Sequence, residues 1–103
     1  MSEGHVYVFV RNDLTNAQKV VQACHAVLEM TREHISDKQR HSIVVIGAKN
    51  EKKLHSIATE LTLHDIKWRW FVEPDMNNTV TAIATEPLTD KRELLKRFKL
   101  LEC

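Results

Sequence analysis

Thr15-Asn16-Ala17-Gln18-Lys19-Val20-Val21-Gln22-Ala23-Cys24-His25-Ala26 joins a helix start to two distinct side-chain stripes. Thr15 with Gln18 three residues later forms a capping box: the hydroxyl accepts from a free N–H of the first turn while the glutamine reaches back. At about 100° per residue, Ala17, Val21, Cys24, Leu28, Thr31 and Ile35 share one side, which is expected to be buried. Gln18, Gln22, His25 and Glu29 form a second stripe roughly a quarter-turn away, at the border of the buried face. A polar group there is held by packing and still meets solvent. The helix is expected to reach His34 or Ile35, with Cys24 as an inert core thiol.

Upstream, Val6-Tyr7-Val8-Phe9-Val10 is a near-continuous β-prone run, which suits a central strand covered on both faces. Arg11-Asn12-Asp13-Leu14 carries the chain from that strand into the capped helix, the kind of short connection that sets functional groups beside a helix N-terminus. Downstream, Ser36 to Arg40 is turn-like, and Ser42-Ile43-Val44-Val45-Ile46-Gly47 again reads as a strand buried on both faces. Strand, helix, strand in this order predicts a parallel pair with a right-handed crossover. Asn50 caps a second helix on which Leu54, Ile57, Ala58 and Leu61 recur at helical spacing, ending near Leu63-His64-Asp65.

Ile66 to Val72 alternates, with Ile66, Trp68 and Trp70 on one face and Lys67, Arg69 and Phe71 on the other, as in a strand near an edge. Glu73 to Asn78, containing Pro74 and Asn77-Asn78, links it to Thr79-Val80-Thr81-Ala82-Ile83-Ala84, so the two strands form an antiparallel hairpin. After Pro87, Asp90 with Glu93 starts a last helix whose Leu94, Leu95 and Phe98 face inward. The order β-α-β-α-β-β-α predicts an α/β fold with a mixed four-stranded sheet between helices.

The 103 residues are enough for one core but not two, so residues 5–103 are read as one domain behind a tail of residues 1–4. An apolar fraction of 43% and a charged fraction of 28% are those of a soluble globular chain. No apolar run spans a bilayer and the first residues lack a signal-peptide core, which points to a cytoplasmic protein with no membrane partner. Cys24 and Cys103 form neither a disulfide framework nor a zinc motif. A net charge of +1 excludes a globally basic nucleic-acid binder. Local clusters remain, in Lys91, Arg92, Lys96, Arg97 and Lys99 and in Lys67 and Arg69 interleaved with Trp68 and Trp70. Their plain alternatives are a solvated helix face and a pair of core tryptophans.

Arg11-Asn12-Asp13-Leu14 after a Val-rich strand, then Gln22-Ala23-Cys24-His25-Ala26, resembles the R-x-D-L and Q-C-A-H-A elements of the type II peptidyl-tRNA hydrolases. Thr79-Val80-Thr81-Ala82-Ile83-Ala84 is similar to that family's T-V-L-A-I-G strand, and Phe98-Lys99-Leu100-Leu101 to its closing helix. Within the family, the Q-A-C-H-A order and the Glu-Pro link are most like the short peptidyl-tRNA hydrolase domain-containing proteins. The resemblance implies a three-layer α/β/α fold with strand order 2-1-4-3 and strand 4 antiparallel to the rest. It also implies cleavage of the ester joining a peptide to the 3′ end of tRNA, with no metal or organic cofactor. The partners implied are peptidyl-tRNA or tRNA, and a homodimer is left open.

Two positions depart from the family pattern. Gln18 stands where the family has a lysine four residues before its glutamine, and Lys19 is one residue on, about 100° round the helix from that stripe. The family's Asp-Ala-Gly loop is shortened to Glu73-Pro74-Asp75-Met76-Asn77-Asn78, in which Glu73 and Asp75 are both candidates for the aspartate.

Ester hydrolysis needs an oriented water, a proton acceptor and donors for the oxyanion. His25 is the candidate base, Gln22 positions water or substrate, and Glu73 or Asp75 orients His25 or binds water. Arg11, Asp13, Thr15, Gln18, Lys19, Lys96 and Arg97 are the candidate substrate contacts, the last two for tRNA phosphates. The alternative is a non-catalytic RNA- or protein-binding module on the same fold. A nucleotide-binding α/β protein ranks last, because no Gly-rich phosphate loop is present.

Overall fold

The computed structural model describes residues 4–32 and 41–89. They form β1 (His5–Arg11), α1 (Asn16–Thr31), β2 (Ser42–Ala48), α2 (Glu51–Leu63), β3 (Trp68–Glu73), a 3-10 turn (Pro74–Met76) and β4 (Thr79–Thr85). The strands lie in the order β2-β1-β4-β3. β1 runs parallel to β2, from His5 opposite Ser42 to Arg11 opposite Ala48, and β4 is antiparallel to both β1 and β3. The mixed sheet and strand order expected from the sequence are those observed.

β1 earns its central place by burial. Val6 to Val10 are all buried, and the period-two pleat divides them between two cores. Tyr7 and Phe9 join Ile46, Leu54, Ile57, Leu61 and Ile83 beneath α2. Val6, Val8 and Val10 join Ala26, Met30, Ala82 and Ala84 beneath α1. The two helices therefore cover opposite faces, giving three layers. Removing a residue such as Phe9 from water contributes about 2–3 kcal/mol.

Both helix starts follow their sequence signals. Thr15 Oγ1 accepts from Gln18 N and Gln18 Oε1 accepts from Thr15 N, completing the box. Asn50 Oδ1 accepts from Lys53 N at the start of α2. α2 ends at Leu63, and Asp65 takes a left-handed φ of 58° as the chain turns toward β3.

The rotation of α1 differs from the expectation. Its buried residues are Lys19, Gln22, Ala26 and Met30, about half a turn from the stripe expected inside. Ala17, Val21, Cys24, Leu28 and Thr31 are exposed, Leu28 at 62% and Val21 at 50%. Cys24 is thus a surface thiol rather than a core one. Apolar residues occupy most of the circumference of α1, so spacing alone does not fix its phase. Small Ala26, with Ala23 beside it, lets the helix lie against the alanines of β4.

β2 is likewise not covered on both faces. It is an edge strand, and α1 packs over β1, β4 and β3 instead of over β2, leaving Ile43 56% exposed. Trp68 and Trp70 pack half-buried at the rim of the α2-side core, where the Trp68 indole N–H donates to Thr62 Oγ1 at 2.9 Å. Thr31 is the last residue of α1, and the expected continuation to His34 or Ile35 lies outside the described residues. So do the turn at Ser36 to Arg40, Cys103, and the last helix with Lys96 and Arg97.

Candidate functional site

The C-terminal ends of β1 and β2, the starts of α1 and α2, and the β3–β4 turn all meet at one end of the sheet. In parallel α/β units this is where loops and helix N-termini converge on ligands. Arg11 ends β1 and forms a two-bonded pair with Asp13, Nε to Oδ1 at 2.9 Å and Nη2 to Oδ2 at 3.0 Å. Its Nη1 donates to Thr79 Oγ1 at 3.1 Å, and that hydroxyl donates to Met76 O at 2.7 Å. One guanidinium therefore ties the β1–α1 connection to the β3–β4 turn. Hydrogen bonding from Arg11 lowers the Asp13 carboxyl below its ordinary range, and the same bond raises Arg11.

The turn itself is shaped by Pro74, which opens a 3-10 turn, and by Asn77 and Asn78, with left-handed φ of 58° and 56°; asparagine tolerates that region better than most side chains. Glu73 caps this turn, its Oε2 accepting from Asp75 N at 3.4 Å. Its other oxygen, Oε1, accepts from Gln22 Nε2 at 2.8 Å. Of the two carboxylates in the turn, Glu73 is the one that reaches α1, while Asp75 is exposed.

Gln22 is only 2% exposed, and its remaining polar atom, Oε1, accepts from Thr81 Oγ1 at 2.6 Å. One turn further along α1, His25 is half-buried with its ring stacked on Phe71, centroids 4.3 Å apart and planes at 11°. The imidazole nitrogens have no hydrogen-bond partner among the described residues. Neither carboxylate bonds to His25; Glu73 is turned to Gln22 instead.

Lys19 lies on the buried face beside Gln22, contrary to the expectation that it is turned away. It is 7% exposed, and its Nζ makes one long contact, 3.5 Å to Asn16 Oδ1. Gln18, at the position of the family lysine, is exposed and committed to the capping box. Beside Lys19, between α1 and β2, runs an apolar groove of about 540 Å3 lined by Val8, Val20, Val27, Leu28 and Val45. On the opposite sheet face, Trp68, Trp70, His55 and Leu63 line a cavity of about 360 Å3.

The profile of the family described as peptidyl-tRNA hydrolase PTH2 matches residues 5–101. The chain belongs to that family. Among solved structures, the peptidyl-tRNA hydrolase fold seen here is similar to that of a protein of unknown function, Atu0240, from Agrobacterium tumefaciens strain C58. That likeness covers 99% of this chain and all of the other, with a TM-score of 0.68 at 16% identity, and concerns the fold. No curated protein matches the sequence.

Among the predicted site residues, the structure joins Gln22 to Glu73, Arg11 to Asp13, and Thr15 to Gln18, and it sets Lys19 and His25 on either side of Gln22 along α1. Lys96 and Arg97 lie outside the described residues. Three further residues complete the site: Phe71 beneath His25, Thr79 on Arg11, and Thr81 on Gln22. The one signal for Thr81 in the sequence is a hydroxyl inside an apolar strand. No described helix is long and apolar enough to cross a membrane.

Proposed function

We propose that this protein is a cytoplasmic peptidyl-tRNA hydrolase that cleaves the ester between a peptide and the 3′ end of tRNA. The observation that carries the reading is the 2.8 Å bond from Gln22 to Glu73, which joins the family's helix glutamine to the carboxylate of the β3–β4 turn. In this reading, water is held by the Glu73 carboxylate, and the imidazole of His25 takes its proton as the water oxygen adds to the ester carbon. The Lys19 ammonium and the free N–H groups at the start of α1 stabilise the oxyanion. His25 then returns the proton to the departing 3′ oxygen, releasing tRNA and a peptide carboxylate. Arg11 and Asp13 hold the two loops that frame the substrate, and Lys96 and Arg97 contact tRNA phosphates.

A second reading, a tRNA-binding module without turnover, is favoured by one observation. Gln18, standing where the family has lysine, is used in the cap. Hydrolysis of a purified peptidyl-tRNA separates the two. Turnover by the wild type that falls in His25→Ala and Gln22→Ala, at matched folding, supports the hydrolase. No turnover with tRNA binding intact leaves the binding module. In either case affinity for tRNA falls with rising salt, because phosphate contacts release counterions.

A further inference from the structure

Strand β4 breaks its own alternation beside the candidate site. Val80 and Ile83 belong to the core beneath α2, whereas Ala82 and Ala84 belong to the core beneath α1. In an unbroken strand Val80 and Ala82, two residues apart, share a face. The register explains the change: Val72 pairs with Val80 and Phe71 with Ala82, so Thr81 is an extra residue with no partner across the ladder. Such a bulge re-aims a side chain, and here the re-aimed side chain is Thr81. It points at α1, is 0% exposed, and its hydroxyl lies 2.6 Å from Gln22 Oε1.

A hydroxyl has one proton to give. The alternative acceptor, Phe71 O, is 3.4 Å away, so the shorter contact to Gln22 takes it. With its oxygen held inward, the Gln22 carboxamide must present its NH2 outward, where it donates to Glu73 Oε1. The flipped amide would set an oxygen against the carboxylate.

We propose that Thr81 is a positioning residue of the hydrolytic site: the β4 bulge presents its hydroxyl to lock the Gln22 carboxamide in one orientation, and that amide holds the Glu73 carboxylate in place. The proposal rests on the peptidyl-tRNA hydrolase reading given above. Thr81 itself touches no substrate. An apolar residue in its position would fill the strand equally well but would free the amide to rotate, and the carboxylate would lose its fixed donor.

The test compares wild type, Thr81→Val and Thr81→Ser in two measurements: steady-state hydrolysis of a purified peptidyl-tRNA, and NMR exchange of the Gln22 side-chain NH2 protons. In Thr81→Val, kcat is expected to fall at least tenfold, about the effect of a misplaced catalytic group. KM should stay within about twofold, since ground-state binding is untouched. The NH2 protons should lose protection in Thr81→Val, and Thr81→Ser, which keeps the hydroxyl, should restore both kcat and protection. Wild-type kcat in Thr81→Val overturns the proposal, as does a Thr81→Ser variant as slow as Thr81→Val. If the wild type itself does not hydrolyse the substrate, the hydrolase reading fails, and the exchange measurement still decides the lock: unchanged protection in Thr81→Val refutes it.

Discussion

Replacing Arg11 by Met keeps most of the side chain's apolar stem and removes the guanidinium that clamps the β1–α1 connection to the β3–β4 turn. Three hydrogen bonds are lost, two to Asp13 and one to Thr79. The Asp13 carboxylate is 40% exposed against 17% for Arg11, so solvent screening limits the ion pair to about 0.5–1 kcal/mol even with two bonds. The half-buried bond to Thr79 adds about 1 kcal/mol. A loss of about 1.5 kcal/mol is expected, read as a lowered urea midpoint at unchanged slope and a Tm drop of roughly 6–12 °C.

Acid should erase the Asp13 share. Its carboxyl is lowered in the folded state, so its stabilisation is complete above the ordinary unfolded value of about 3.9 and is lost as pH falls through the depressed folded value. Arg11 is raised and stays protonated throughout this window, so it adds no slope of its own. Wild type and Asp13→Asn should therefore differ most in stability near neutral pH and converge in strong acid. A double-mutant cycle between Arg11 and Thr79 isolates the inter-loop bond. A coupling energy indistinguishable from zero would refute the clamp, because the two loops would then be held independently.

Three other expectations concern packing and capping. Met30→Ala should cost about 2–4 kcal/mol by opening a cavity, whereas Leu28→Ala should cost less than about 0.5 kcal/mol, and the reverse order in chemical denaturation would mean that α1 is turned the other way. Thr15→Ala should lower stability by about 1 kcal/mol, since the Gln18 N–H loses its side-chain acceptor while the backbone half of the box remains, and no change in the urea midpoint would show the hydroxyl to be idle. The double variant Gln22→Leu with Thr81→Val removes the amide and its hydroxyl partner together and leaves only the half-buried Glu73 carboxylate without its donor, so a cost of about 1–2 kcal/mol is expected in chemical denaturation, while activity on peptidyl-tRNA is lost.

What was legible in the sequence is what short-range chemistry decides. The capping box at Thr15, the cap at Asn50, the buried run Val6 to Val10 and the hairpin around Pro74 each involve residues a few positions apart, and each is present in the fold. The phase of α1 is different in kind. With Val20, Val21, Ala23, Val27 and Leu28 spread around the helix, the buried side is chosen by what the sheet offers: a row of alanines for Ala26 and a hydroxyl and a carboxylate for Gln22. Nothing within one helix length records that choice. The exposure of β2 depends similarly on where α1 crosses the sheet.

The site was half legible for the same reason. Gln22 and His25 stand out by motif, but the choice of Glu73 over Asp75 is made by the 3-10 turn, and Thr81 enters only through a one-residue slip between strands. That slip gives the cluster its meaning. A buried amide costs free energy unless both its ends are paired, and α1 had apolar residues available to cover the same alanines. Burying Lys19 and Gln22 instead, with Val20 and Leu28 left 60% and 62% exposed, runs against the hydrophobic gain that formed the rest of the fold. The polar groups that offset this cost converge on Gln22 from the bulge and from the loop turn, at the end of the sheet where the helix starts collect. Local stability is given up at one place, where both ends of the Gln22 amide are paired and the chain of bonds ends on the Glu73 carboxylate, as expected where a fold sets aside packing for a functional arrangement.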